Sequence, residues 1–179
     1  IPMDEWGIDV FIGGSQKAFM LPTGMSFLSL SPRAEAINTD NPKYYWDLKA
    51  EKKSNLQNKT RYSTPTHFVL ALDLVLDQIL DKGIKAYFKS IQSRGDFFRE
   101  QVQLPLFPQS PSPSLTCLAL PESILASDIR KKVAEAGFVI IAGQDHMKEK
   151  ILRIGHMGHM SQMDLQETAN AINRALNES

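Results

Sequence analysis

The run Ile8-Asp9-Val10-Phe11-Ile12 ends in Gly13-Gly14, and behind the glycines comes Ser15-Gln16-Lys17-Ala18. A short apolar, β-branched run closed by paired glycines predicts a buried strand that stops in a tight turn. Pro22-Thr23-Gly24 supplies a further turn, and Met25 to Leu30 alternates at period two over its last four residues, predicting a second strand. The chain is thereby required to place an amine, Lys17, at the mouth of a strand pair. Two outcomes are open. The lysine extends its head to water from the strand end, or partial burial favours the neutral amine, a nucleophile that forms a Schiff base with a carbonyl compound.

The remaining pattern predicts mixed strands and helices. Ser31-Pro32-Arg33-Ala34-Glu35 reads as a helix start with Ser31 as N-cap, and the stretch Asn38 to Pro42 should break it. Tyr44-Tyr45-Trp46-Asp47-Leu48 predicts another helical turn or two, and Lys49 to Lys53 a solvated surface turn. Phe68, Ala71, Leu72, Val75, Leu76, Ile79 and Leu80 recur at helical spacing from Thr66 to Gly83, with Thr64 or Thr66 as cap. A second amphipathic helix is expected from Ile84 to about Gln103, followed by a proline-dense connector from Leu104 to Pro113.

Strands are then expected at 115–120, 138–142 and 151–154, with a helix from Ser127 to Ala136 and another from Met163 to Leu176. Ser161 is placed to cap the last helix. This order predicts an α/β or α+β layer, a small sheet covered by helices.

Composition narrows the function. The chain of 179 residues is 42% hydrophobic and 22% charged, with 20 basic and 20 acidic side chains. That balance gives no electrostatic case for nucleic acid or for an anionic membrane surface. No apolar run approaches the ~20 residues that span a bilayer. The single cysteine, Cys117, excludes an internal disulfide framework and fits a reducing, cytoplasmic setting. Lying mid-strand, it reads as inert packing. His146, His156 and His159 lack the carboxylate or cysteine partners of a metal site, so none is assigned. The start Ile1-Pro2-Met3-Asp4 reads like the interior of a longer polypeptide, and a C-terminal fragment is the expectation.

Arg153 is the second candidate. Alternation within Ile151-Leu152-Arg153-Ile154 puts its guanidinium on the face opposite Leu152 and Ile154, where it needs a partner. A carboxylate is the best bidentate match, supplied either by a substrate or by an internal Asp or Glu.

Three ordered blocks carry a family resemblance. The stretch from Asp9 through Lys17 to Gly24 resembles the lysine segment of class V aminotransferases, fold-type I pyridoxal-phosphate enzymes that include alanine–glyoxylate and serine–pyruvate aminotransferases. Leu152-Arg153-Ile154-Gly155-His156-Met157-Gly158 is similar to that family's carboxylate-binding strand. Arg61-Tyr62-Ser63-Thr64-Pro65 resembles the segment that reaches a neighbouring subunit's cofactor phosphate.

The resemblance implies pyridoxal 5′-phosphate as cofactor and a homodimer as the working unit. It implies Lys17 as the catalytic, cofactor-holding amine, Ser15, Gln16, Tyr62 and Thr64 as cofactor contacts, and Arg153 as the anchor of the substrate α-carboxylate. It further implies that residues 1–83 end a large cofactor domain and that 84–179 form a small C-terminal domain. The substrates would be a small amino acid, alanine or serine, and a small 2-oxo acid, glyoxylate or pyruvate. The alternative is a lyase or cysteine desulfurase on the same scaffold, which needs a histidine directly before the lysine and a mobile cysteine. Position 16 is Gln and Cys117 falls in a predicted strand. A folded remnant is the remaining alternative, and under the transaminase reading the activity is expected of the full-length protein and not of this chain by itself.

Overall fold

The computed structural model describes residues 1–37, 39 and 41–179, so the expected break at Asn38 and Asp40 lies outside the described residues. The chain divides into two compact units, Ile1–Asp77 and Gln78–Ser179.

The first unit is organised by one hairpin. Strand β1 (Val10–Gly14) pairs antiparallel with β2 (Ser26–Leu30), Val10 opposite Leu30 and Gly14 opposite Ser26. Its open end is clamped by Asp9, whose carboxylate accepts from Arg33 Nε at 3.0 Å and from the Ser31 hydroxyl at 2.7 Å. The Arg33 guanidinium beside it holds the Asp9 carboxyl below the usual carboxylate range. Ser31 also caps helix α1 (Pro32–Ile37), its hydroxyl accepting from Ala34 N at 3.1 Å, as the Ser-Pro start predicts.

Four expectations for this unit need correction. Strand β1 is not buried: it pairs only with β2, and Ile12 is 69% exposed. The aromatic segment Tyr44-Tyr45-Trp46 lies outside any helix, and helix α2 (Leu48–Asn55) starts behind it, capped by the Asp47 carboxylate. The lysines of 49–53, expected in a turn, therefore ride on α2. Helix α3 (Thr66–Lys82) forms where the periodicity puts it, yet neither threonine caps it. The Pro65 carbonyl accepts from Phe68 N and Val69 N, while the Thr64 hydroxyl turns to Thr60.

The second unit holds the core. Helix α4 (Ile84–Gln101) precedes strand β3 (Leu115–Ala119), helix α5 (Ala126–Glu135), the short strand β4 (Ile141–Ala142), strand β5 (Ile151–Gly155) and helix α6 (Gln162–Asn177). The strands form an antiparallel sheet in the order β3-β5-β4. Only Ile141 and Ala142 of the expected 138–142 strand join the ladder. Phe98, Leu118, Ile129, Val133, Leu152, Leu165 and Ile172 are fully buried and pack together. Burial of this kind is worth roughly 1.5–3 kcal/mol per large apolar side chain.

Polar stitches close the unit. Asn173 of α6 donates to Gln101 O at 2.8 Å and accepts from Gln103 N at 3.0 Å, pinning the end of α4. Ser161 and Asp164 form a capping box at the start of α6. Helix α5 differs from expectation: Leu125 is its cap residue, and the Ser127 backbone N–H donates to the Glu149 carboxylate at 2.9 Å.

Candidate active site

Lys17 sits in the turn beyond β1, within the loop 15–25 that joins β1 to β2. The loop is closed at its neck by Ser15, a fully buried residue. The Ser15 hydroxyl donates to Pro22 O at 2.6 Å and accepts from Met25 N at 3.2 Å. Its backbone N–H donates to Met25 O, and its carbonyl accepts from Leu21 N, both at 3.0 Å. Phe19 and Phe27 pack at a tilt with ring centroids 4.6 Å apart, and Phe68 approaches Gly24 so closely that an added Cβ would stand 3.0 Å from its ring.

Gln16 and Lys17 are thus carried outward on a loop whose neck is pinned. Both are exposed, so the structure realises the solvent-facing outcome for the lysine and not the partly buried one. Among the described residues the Lys17 amine makes no hydrogen bond or ion pair with another side chain. An unengaged amine on a pinned loop fits a carbonyl-bearing cofactor. Ser15 fits differently: its one proton is already given to Pro22, so it shapes the loop and offers no free donor to a phosphate.

Tyr62 and Thr64 belong to a strap beside the aromatic segment. The Tyr62 hydroxyl donates to Tyr44 O at 3.0 Å, and Arg61 donates to the same carbonyl at 3.0 Å while its guanidinium lies 5.4 Å from the Tyr62 ring centroid. The Thr64 hydroxyl donates to Thr60 Oγ1 at 2.9 Å, and Thr60 donates onward to Tyr62 O at 2.9 Å. Both hydroxyls are therefore engaged within the chain. Since a phosphate only accepts, each would have to redirect its proton to serve one. Near the surface that exchange is nearly neutral, one hydrogen bond replacing another.

Arg153 lies in the second unit, mid-way along β5. Leu152 and Ile154 point into the core and Arg153 to the opposite face, as alternation requires. Its Nε donates to Ala142 O at 2.7 Å. No carboxylate among the described residues lies within ion-pair distance, so the internal salt bridge left open by the sequence is not formed. The guanidinium keeps its two terminal nitrogens for a ligand, side by side and suited to a carboxylate.

His156 directs its Nε2 to the Thr116 hydroxyl at 2.7 Å inside the core. Burial, together with the charges of Arg99 and Arg94, lowers its pKa to about 4, so it is a neutral core residue at neutral pH. Cys117 is held in the β3 ladder, and burial pushes its thiol up, which gives a desulfurase no ready thiolate. Sequence reasoning passed over the neighbours of Arg153 and the pinning role of Ser15; the first follows from register and the second from tertiary contacts.

No family model matches the chain. It is 35% identical to a soluble hydrogenase small subunit of Synechococcus sp. over 99% of its length and 48% of that protein's. It is 29% identical to the L-aspartate–glyoxylate aminotransferase of Paracoccus denitrificans, with 89% of this chain and 42% of that one covered. Its fold superposes on a subgroup IV aspartate aminotransferase from Thermus thermophilus with a TM-score of 0.86 at 27% identity, covering 98% of this chain and 51% of that one. The architecture is that of the fold-type I pyridoxal-phosphate enzymes. Within that class the chain is a homologue of the class V aminotransferases, and it spans about half the length of the curated relatives it matches.

Proposed function

We propose that this chain carries the amine-bearing and carboxylate-binding parts of a pyridoxal-phosphate-dependent transaminase. The observation that carries the reading is the unengaged Lys17 amine on the loop pinned by Ser15, in a chain whose relatives include aminotransferases. The amino donor is a small amino acid, alanine or serine, and the acceptor a small 2-oxo acid, glyoxylate or pyruvate. Residues 1–83 act as the end of the cofactor domain and 84–179 as the small domain of a cytoplasmic homodimer.

Pyridoxal 5′-phosphate, when bound, supplies an aldehyde that condenses with amines and a ring that accepts electron density from the substrate Cα. Lys17 would hold the cofactor through its amine and would serve the substrate Cα first as base and then as acid. Gln16 would contact the cofactor, the Tyr62 and Thr64 hydroxyls would turn from Tyr44 O and Thr60 Oγ1 to its phosphate, and Ser15 keeps the lysine loop in place. Arg153 grips the α-carboxylate through its terminal nitrogens and so orients the Cα–H bond.

The hydrogenase name belongs to the Synechococcus protein. Among the described residues here, no group of three or more His, Cys, Asp or Glu is arranged to hold a metal.

The test is a panel of amino donors with glyoxylate and pyruvate, run on the full-length protein as wild type and as Lys17→Arg. Alanine or serine turning over with wild type and failing with Lys17→Arg, at unchanged melting temperature, supports the proposal. Equal turnover by the variant overturns it.

A further inference from the structure

The face of the β3-β5-β4 sheet that carries Arg153 is otherwise apolar. Register sets Cys117 of β3 and Ile141 of β4 directly opposite Arg153, one on each side. Opposed residues in antiparallel strands project to the same face with Cβ atoms roughly 4.5–5.5 Å apart. Leu115, Ala119, Ile151 and Gly155 fall on this face by the same alternation. Arg153 is therefore the one charged residue in a ladder of apolar positions. Ile141 is 57% exposed and Cys117 half-buried, so the surroundings of the guanidinium are open to a ligand.

The geometry of the guanidinium limits how that ligand binds. Its Nε is spent on Ala142 O, which ties the side chain to the β4 edge. A carboxylate engages the terminal nitrogens, and the rest of the molecule then lies against Cys117 or Ile141. Burial keeps the Cys117 thiol protonated, so neither flank adds a charge. A second carboxylate placed there would lose water and gain no partner, a cost that discriminates strongly against it.

We propose that Cys117 and Ile141 are specificity-determining residues: they hold the flanks of Arg153 apolar and neutral, so the site takes a monocarboxylate with a small uncharged remainder and rejects a dicarboxylate. The inference rests on the reading of Arg153 as the carboxylate anchor. It places discrimination between alanine-like and aspartate-like substrates on two positions of this chain. It further predicts that a cation introduced at position 141 converts the preference.

Three variants test it, Ile141→Lys, Cys117→Asp and Arg153→Leu, each read by kcat/KM for L-alanine and L-aspartate and by direct binding of propionate and succinate to protein without cofactor. Ile141→Lys is expected to move the aspartate-to-alanine ratio at least tenfold towards aspartate and to tighten succinate by a similar factor. Cys117→Asp, by seating a carboxylate opposite Arg153, is expected to raise KM for alanine at least tenfold with a smaller change in kcat. Arg153→Leu is expected to weaken alanine and propionate alike. If Arg153→Leu weakens both but neither flank variant moves ratio or KM, the flank assignment is overturned and the anchor stands. If Arg153→Leu changes nothing, the anchor itself is wrong and the inference falls with it. Should one flank variant fail to fold, the other decides the flank assignment.

Discussion

The Thr116 hydroxyl and the His156 imidazole Nε2 meet at 2.7 Å within the core of the second unit, with the Phe98 ring centroid 5.2 Å from the imidazole. Protonating the ring there would bury a cation beside Arg94 and Arg99, which is why its pKa falls from 6.5 to about 4. A depressed pKa means the unfolded chain binds the proton first. Stability is therefore full above about pH 6.5 and is lost as pH falls towards about 4, by up to about 3 kcal/mol from this group. Denaturant midpoints measured from pH 4 to 7.5 should show that slope, and His156→Gln should flatten it. A wild-type profile without any slope over that range would refute the assignment.

Ser15→Ala should loosen the lysine loop. The change leaves Met25 N and Pro22 O without their side-chain partner at a partly buried position. The expected cost is about 1–3 kcal/mol. Limited trypsin digestion provides the local readout, since cleavage after Lys17 should accelerate several-fold while cleavage in α6 does not. Unchanged nicking at Lys17 would show that the hydroxyl does not pin the loop.

Two glycines of the small sheet should respond oppositely to alanine. A Cβ at Gly143 would stand 2.1 Å from the Met147 carbonyl oxygen, a backbone atom with little room to yield, whereas one at Gly155 meets nothing within 4 Å. Gly143→Ala is expected to destabilise by about 1–3 kcal/mol or more. Gly155→Ala should be near neutral. Thermal melts of the two variants make the comparison, and equal melting temperatures would contradict the packing described.

Removing the cap of the last helix should cost less. Ser161→Ala deletes a side chain that accepts from Asp164 N at 3.1 Å and donates to Asp164 Oδ2 at 2.7 Å. A loss of about 1 kcal/mol is expected for a cap of this kind. Helix α6 supplies Leu165, Ala169 and Ile172 to the core, so urea unfolding of the whole second unit should report it. A midpoint equal to wild type would mean the cap contributes nothing.

Local rules acted strongly enough to be read from residues alone wherever the partner lies nearby in the chain. The Ser-Pro start of α1, the 3.6-residue periodicity of α3 and α4, the cap of α6 and the alternation that turns Arg153 away from Leu152 all formed as the sequence dictates. These depend on spacing and side-chain type over one or two turns, which any neighbourhood preserves. The lysine loop was legible as a turn for the same reason, through its paired glycines and Pro22-Thr23-Gly24.

Tertiary structure decided what those elements face. The apolar run of β1 reads as buried, but it pairs with a single strand and keeps Ile12 in the open. The start of α5 is capped by Glu149, far along the chain, and not by its own serine. Ser15, Tyr62 and Thr64 each carry a hydroxyl that could serve a cofactor; only folding settled that Ser15 spends its proton inside the loop and that Thr64 spends its own on Thr60. The flanks of Arg153 come from strands that are distant in sequence, so their identity emerged with the register of β3, β5 and β4. Sequence by itself determined which residues could do chemistry, because that follows from side-chain type and local spacing. The fold alone determined which of them have protons and charges to spare, because hydrogen bonds and register are set between segments that meet only when the chain closes.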